Sequence, residues 1–145
     1  MDVIPGRPDE NYKRILELVS AAEKKQADIL LLPEMCIPGY LIGDLWEQQT
    51  FLDDCQYYAE KIVEASADLC IMFGNVAFEK DKLNEDGRLR KYNAAVACQN
   101  GKVIGGYMGR NFIIKNSLPN YREFDDYRYF YSLQKLCAEE DAVVA

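Results

Sequence analysis

The sequence predicts an α/β layered domain, and three observations predict it. Stretches with helical spacing alternate with short, unbroken apolar runs. Each run directly follows a helix, the place of a buried parallel strand. A tight-turn dipeptide, Asn100-Gly101, joins two further strand-like segments as a hairpin. The 145 residues suit one domain, taken as residues 1–145. With 49% apolar and 28% charged residues the chain has the balance of a globular protein, large enough to bury a core without a disulfide or metal.

Taken in order, Met1 to Gly6 reads as a turn. Pro8, Asp9 and Glu10 start the first helix, with proline in the first turn and acids at the positive end of the dipole. Tyr12, Ile15, Leu16, Val19 and Ala22 recur at helical spacing, and Lys24 and Lys25 stand at the far end. The run Ala27 to Leu32 is the first strand, stopped by Pro33; Met35 to Asp44 is a loop punctuated by Pro38 and Gly39. A second helix is expected over Leu45 to Ser66, with Leu52, Cys55, Ala59, Ile62 and Val63 on one face, and a second strand over Leu69 to Phe73, ended by Gly74. Glu79 to Lys91, charged and containing Asp86-Gly87, reads as a solvated surface loop. Tyr92 to Cys98 and Val103 to Tyr107 are the hairpin strands. Asn111 to Tyr131 has no clean period, and Ser132 to Ala145 reads as a frayed helix or a strand remnant. A sheet of this kind normally opens with a strand, whereas this chain opens at the turn that should follow one.

Composition narrows the function. Seventeen basic against twenty-four acidic residues give a net charge of −7, which argues against nucleic acid or an anionic membrane as partner. Five scattered cysteines without a CxxC pair fit reduced thiols of a cytosolic protein. No leader pattern opens the chain and no apolar run is long enough to span a bilayer, so a cytoplasmic location is expected. The absence of histidine excludes Ser-His-Asp and Cys-His chemistry within this chain, leaving carboxylates, lysine, tyrosine or cysteine to move protons.

Three features have the residue types for chemistry. Glu34 lies at the carboxyl end of the first predicted strand, the edge where ligands gather in open α/β sheets. Taken alone it reads as a solvated loop glutamate. Lys115 follows Ile113-Ile114 and alone reads as surface charge; the cluster Tyr121, Arg122, Glu123, Asp125, Asp126 and Arg128 alone reads as a salt-bridged loop.

Together these segments resemble a known family. Leu32-Pro33-Glu34-Met35 with Pro38-Gly39-Tyr40 is similar to the PE…GY signature of the carbon–nitrogen hydrolase (nitrilase) superfamily. Lys115-Asn116-Ser117-Leu118-Pro119-Asn120-Tyr121-Arg122-Glu123-Phe124 resembles its lysine motif, in the form found in the glutaminase domain of glutamine-dependent NAD synthetases. Arg128-Tyr129-Phe130 and Gly43-Asp44-Leu45 extend that likeness, and Tyr92-Asn93-Ala94-Ala95 with Asn100-Gly101-Lys102 matches the superfamily's hairpin.

The resemblance implies part of an α-β-β-α sandwich, two-layered within one chain, with a Glu-Lys-Cys site. By that likeness Glu34 is the general base for a cysteine thiol and Lys115 steadies the charge of the tetrahedral intermediate. Glu123 matches the second glutamate that supports the lysine and substrate, and Tyr121 lines the pocket for an amide, expected to be glutamine. A thiol needs a base or a nearby cation to ionise at neutral pH, and a carboxylate beside a lysine supplies both.

This chain departs from the family pattern at its cysteines. The family's nucleophile lies well beyond the lysine motif and is followed by an acid and a tryptophan. Cys137, in Lys135-Leu136-Cys137-Ala138-Glu139-Glu140, does not match; Cys36 precedes the lysine motif, and Cys55, Cys70 and Cys98 read as core. The family's opening strand is also missing. The chain is therefore expected to be a piece of a glutamine amidohydrolase, silent alone, whose ammonia would serve amidation of deamido-NAD on a separate ATP- and Mg-using domain; no cofactor or metal is expected here. The alternatives are another amidase or carbamoylase branch of the superfamily, or a non-catalytic module that associates with itself through unpaired sheet edges. A homo-oligomer is expected.

Overall fold

The computed structural model describes residues 1–143. Helix α1 spans Pro8–Lys24 and presents Ile15, Val19 and Ala22 to the interior, following the predicted periodicity. Asn11 is also buried on that face, at no cost in unpaired groups: it accepts from the Ile4 amide and donates to the carbonyls of Ile4 and Ile37. These bonds tie the amino-terminal turn beneath the Ile37–Gly39 segment, where the Gly6 amide also donates to Pro38.

Strand β1, Ile29–Leu31, follows, and helix α2 spans Gln49–Glu64. The second helix thus starts later than the sequence suggested. A separate 3₁₀ turn, Gly43–Glu47, precedes it and buries Trp46, whose ring lies edge-on to Phe51 and Phe130. Phe51, Leu52, Cys55, Ala59 and Ile62 form the buried face of α2. Helices α1 and α2 lie side by side against the sheet and share one core with Ile71, Phe73 and Val76. Each such aliphatic or aromatic side chain contributes roughly 1.5–3 kcal/mol on leaving water.

Strands β2 (Cys70–Leu83), β3 (Leu89–Gln99), β4 (Lys102–Val103) and β5 (Ile113–Ile114) complete a sheet ordered β1-β2-β3-β4, with β5 also pairing β3. β1 runs parallel to β2, and the remaining pairs are antiparallel. Short helices α3, Asp126–Tyr129, and α4, Leu133–Glu139, follow. The Ser132 hydroxyl caps α4 by accepting from the Lys135 amide. α4 buries Leu133, Leu136 and Cys137 against Ala77, Tyr92, Ala94 and Ile114 in a smaller second core. The last two residues of the expected carboxyl-terminal remnant lie outside the described residues.

Three further sequence expectations are corrected. Glu79 to Lys91 is not a surface loop: β2 and β3 run on through it as a long hairpin, with a register shift between Phe78 and Leu83 and a turn at Asn84 to Arg88. The charges mislead because several are paired across the structure. Arg90, 7% exposed, meets Glu139 at 2.7 Å, and Lys91, 2% exposed, meets Glu47 at 2.9 Å. Nor does Gly74 end a strand. β2 passes through it, and the position is glycine because a Cβ there would stand 2.5 Å from the Met35 nitrogen and 2.6 Å from the Glu34 Cα. The strand expected over Val103 to Tyr107 is only Lys102–Val103, since Gly105 and Gly106 take positive φ and turn the chain away. Asn100-Gly101 forms the predicted turn, both residues at positive φ.

Candidate active site

Beyond β1 the chain stays on β2 for one more turn. The Leu32 amide donates to Met72, Gly74 donates to Pro33, and Cys36 donates to Gly74. Glu34 is thereby held at the sheet edge, its backbone packed on the bare Cα of Gly74. Lys115 arrives from the other side: it follows β5, and its amide donates to the Asn93 carbonyl of β3 at 2.8 Å. Its Nζ lies 2.6 Å from Glu34 Oε1, although the two residues are 81 positions apart. Asn93 Nδ2 donates to the same oxygen at 2.6 Å and to Tyr40 Oη at 2.7 Å, and the Tyr40 hydroxyl also donates to Glu34 Oε1. Behind Lys115 stands Asp126, 4% exposed, with Oδ2 3.9 Å from Nζ and no hydrogen bond to that oxygen among the described residues.

These contacts set the electrostatics. Partial burial works to raise the Glu34 carboxyl; the hydrogen bonds from Lys115, Tyr40 and Asn93 outweigh it and hold the group below the ordinary glutamate range. Burial, reinforced by the neighbouring Glu34 carboxylate, pushes the Tyr40 phenol far up, so it stays a donor. Burial also pushes Asp126 up, against the pull of the Lys115 ammonium. The cluster thus offers an ionised carboxylate beside a fixed cation.

The structure brings Glu34 and Lys115 together in direct contact. Tyr121 is 63% exposed and connects through rings: 6.0 Å to Phe124, which lies edge-on to Tyr40 at 5.7 Å. Glu123 is exposed and lines a hollow of about 370 Å³ with Tyr40 and Asp126; among the described residues it makes no hydrogen bond or ion pair with Lys115, and Asp126 is the second carboxylate near that lysine. Sequence reasoning assigned no role to Tyr40, Asn93 or Asp126. Asn93 left a signal, as the lone polar residue in the apolar run Tyr92 to Cys98, where a buried amide must find partners. Asp126 left none, because its burial depends on how α3 docks.

The pair sits at one end of an open, mostly apolar hollow of about 460 Å³ on the sheet, walled by Leu31, Met72, Ala95 and Ile113. Its lining is apolar except at Glu34, Asn93 and Lys115. Among the described residues none of the five cysteines hydrogen-bonds with Glu34 or Lys115. Cys36, nearest in sequence, donates to the Gly74 carbonyl, and burial pushes its thiol up to about 12. Cys98 donates to Ile71, and Cys137 packs 3.8 Å from Met108 Sδ. Among the described residues no group of three histidine, cysteine or acidic side chains is placed to hold a metal, and no helix is long and apolar enough to cross a membrane.

Comparison with known proteins gives the family. The carbon–nitrogen hydrolase family model matches residues 4–131. A glutamine-dependent NAD(+) synthetase of Thermotoga maritima is 32% identical over 127 residues, covering 86% of this chain and 19% of that protein. The Acinetobacter baylyi protein of the same name is 32% identical, covering 86% and 20%. The chain therefore spans about a fifth of the length of the curated relatives it matches. Among solved structures, the glutamine-dependent NAD+ synthetase of Acinetobacter baumannii superposes with a TM-score of 0.74 at 30% identity, over 91% of this chain and 22% of that one. An amidase of the nitrilase superfamily from Nesterenkonia superposes with a TM-score of 0.70 at 17% identity, over 90% and 44%, and shares the fold.

Proposed function

We propose, from the premise that this chain belongs to the carbon–nitrogen hydrolase family, that it carries the base-and-lysine half of a glutamine amidohydrolase site whose ammonia serves NAD synthesis. The observation that carries the reading is the 2.6 Å contact between Glu34 and Lys115, made by residues from opposite sides of the sheet at the mouth of an open hollow. The names of the relatives support glutamine as the amide and NAD synthesis as what it serves; a separate domain that uses ATP and Mg is part of the proposal. In this reading Glu34 takes the proton of the attacking thiol, and Lys115 holds the negative charge that develops on the carbonyl oxygen. Tyr121 lines the substrate side, and Glu123 stands at the rim of the neighbouring hollow. The five cysteines, unpaired in the structure, fit a reducing, cytoplasmic setting.

In this reading the attacking thiol comes from outside these residues, since none of the five cysteines hydrogen-bonds with Glu34 and the Cys36 thiol is turned to the Gly74 carbonyl. The chain alone is therefore expected to release no ammonia from glutamine, whereas co-expression with the rest of a relative's glutaminase domain restores release, and Glu34→Gln abolishes it again. Steady ammonia release by the chain alone, lost in Lys115→Ala, would overturn the incomplete-site reading. No release from the complemented pair would overturn the amidohydrolase reading.

A second reading is favoured by one observation. Ile29, Leu31, Met72 and Ile113 expose 58%, 75%, 38% and 54% of their surface on the sheet, an apolar surface unusual for an unassociated domain. In this reading the chain pairs with a second copy of itself through that surface. Sedimentation at rising concentration is expected to show a dimer, and a monomer at every concentration removes it.

A further inference from the structure

We infer that Glu34 works through Oε2 alone, and that Asn93 is the positioning residue that enforces this. The inference rests on the reading of Glu34 as the base and goes to the atom that takes the proton. Three donors converge on Oε1: the Tyr40 hydroxyl, Asn93 Nδ2 at 2.6 Å and Lys115 Nζ at 2.6 Å. A carboxylate oxygen has two lone pairs, so three donors saturate it. Among the described residues Oε2 accepts no hydrogen bond, and nearly half of the Glu34 side chain is open. A proton leaving the attacking group therefore bonds to Oε2, and the electron pair it leaves behind forms the bond to the amide carbon. The carbonyl π pair moves onto its oxygen beside Lys115, and as it returns the carbon–nitrogen bond breaks, the same proton passes from Oε2 to the departing nitrogen, and Glu34 is ionised again. Protonation of Oε1 would first require expelling a donor.

Asn93 is suited to enforce the division. It is 2% exposed and lies on β3 between β2, where it faces Val76, and β5, so its backbone is fixed on both sides. Its carbonyl accepts the Lys115 amide, and its Nδ2 donates to both Tyr40 and Glu34. One residue thus registers the lysine through the main chain and the carboxylate and phenol through the side chain. An amide does not titrate at ordinary pH, so it holds Oε1 without competing for the proton.

Two measurements on this chain test the inference, and neither needs catalysis, so they stand apart from the glutaminase assays. In the first, the carboxyl carbons of labelled glutamates are titrated by NMR. Glu34 is expected below the ordinary range in the unaltered chain and about one pKa unit higher in Asn93→Leu, the worth of one hydrogen bond to a charged acceptor. Glu139, held down by Arg90 beside the β2–β3 turn and making no contact with Glu34, is the internal reference and is expected to stay put. A role in packing alone would lower stability without moving Glu34 against Glu139. In the second, a neutron structure below the folded Glu34 value is expected to show the deuteron on Oε2. A deuteron on Oε1, or a Glu34 titration unchanged in Asn93→Leu, overturns the inference. If Asn93→Leu does not fold, Tyr40→Phe removes a second donor from the same oxygen and must raise Glu34 likewise.

Discussion

Replacing Gly74 with alanine is expected to destabilise the domain by about 1–3 kcal/mol and to break the contact between Glu34 and Lys115. The new Cβ meets the Met35 nitrogen at 2.5 Å and the Glu34 Cα at 2.6 Å. Both are backbone atoms, so no rotamer change relieves the overlap. The segment 33–36 must instead lift from β2, at the expense of the hydrogen bonds that link Gly74 to Pro33 and Cys36. Glu34 then loses donors that hold its carboxyl down, and its titration is expected to rise toward the ordinary glutamate value. The pH dependence follows in sign. A depressed carboxylate contributes stability that is present above its unfolded value and lost as pH falls through its folded one. The unaltered chain should show that loss on the acid side, and the Gly74→Ala variant should lack it. Denaturant unfolding across the acid range, with the same NMR titration, checks both parts. Unchanged stability together with an unchanged Glu34 would show that the close approach is not what places the base.

The second large effect lies two residues along β3 from Asn93, outside the Glu34–Lys115 contact itself. Glu47→Gln is expected to cost about 3 kcal/mol, toward the lower end for a broken buried ion pair because Glu47 keeps 29% exposure. Lys91 is 2% exposed and its Nζ lies 2.9 Å from Glu47 Oε2, so losing the carboxylate strands a buried cation. Lys91→Met, which removes the charge and keeps the stem, is expected to cost much less, about 1 kcal/mol. The Arg88 contact to the same glutamate is exposed and adds little. A double-mutant cycle read by urea unfolding separates these terms. Equal losses in the two single variants would mean that Lys91 is not held by Glu47.

Much of the fold was legible in the chain. The spacing of Ile15, Val19 and Ala22 announced α1, and Cys55, Ala59 and Ile62 announced the face of α2. The apolar runs before Pro33 and around Phe73 announced β1 and β2. The long hairpin was hidden by its charges, because a sequence shows Lys91 and Glu47 as ionised but not as neighbours. Gly74 read as a stop for the same reason: its meaning lies in a backbone that approaches it from another segment.

By itself, the sequence determined α1, the buried face of α2, the apolar strands β1 and β2, the Asn100-Gly101 turn, and the two residues, Glu34 and Lys115, whose motifs give the family. Local periodicity and turn chemistry depend on neighbours along the chain, and these are printed in order. Tertiary structure alone decided that Lys115 meets Glu34 across 81 positions, that Tyr40 and Asn93 join them on one oxygen, and that Asp126 rather than Glu123 is the second carboxylate near the lysine. Such contacts depend on which strand pairs with which and on which side chains lose water, and both follow from packing the whole sheet at once.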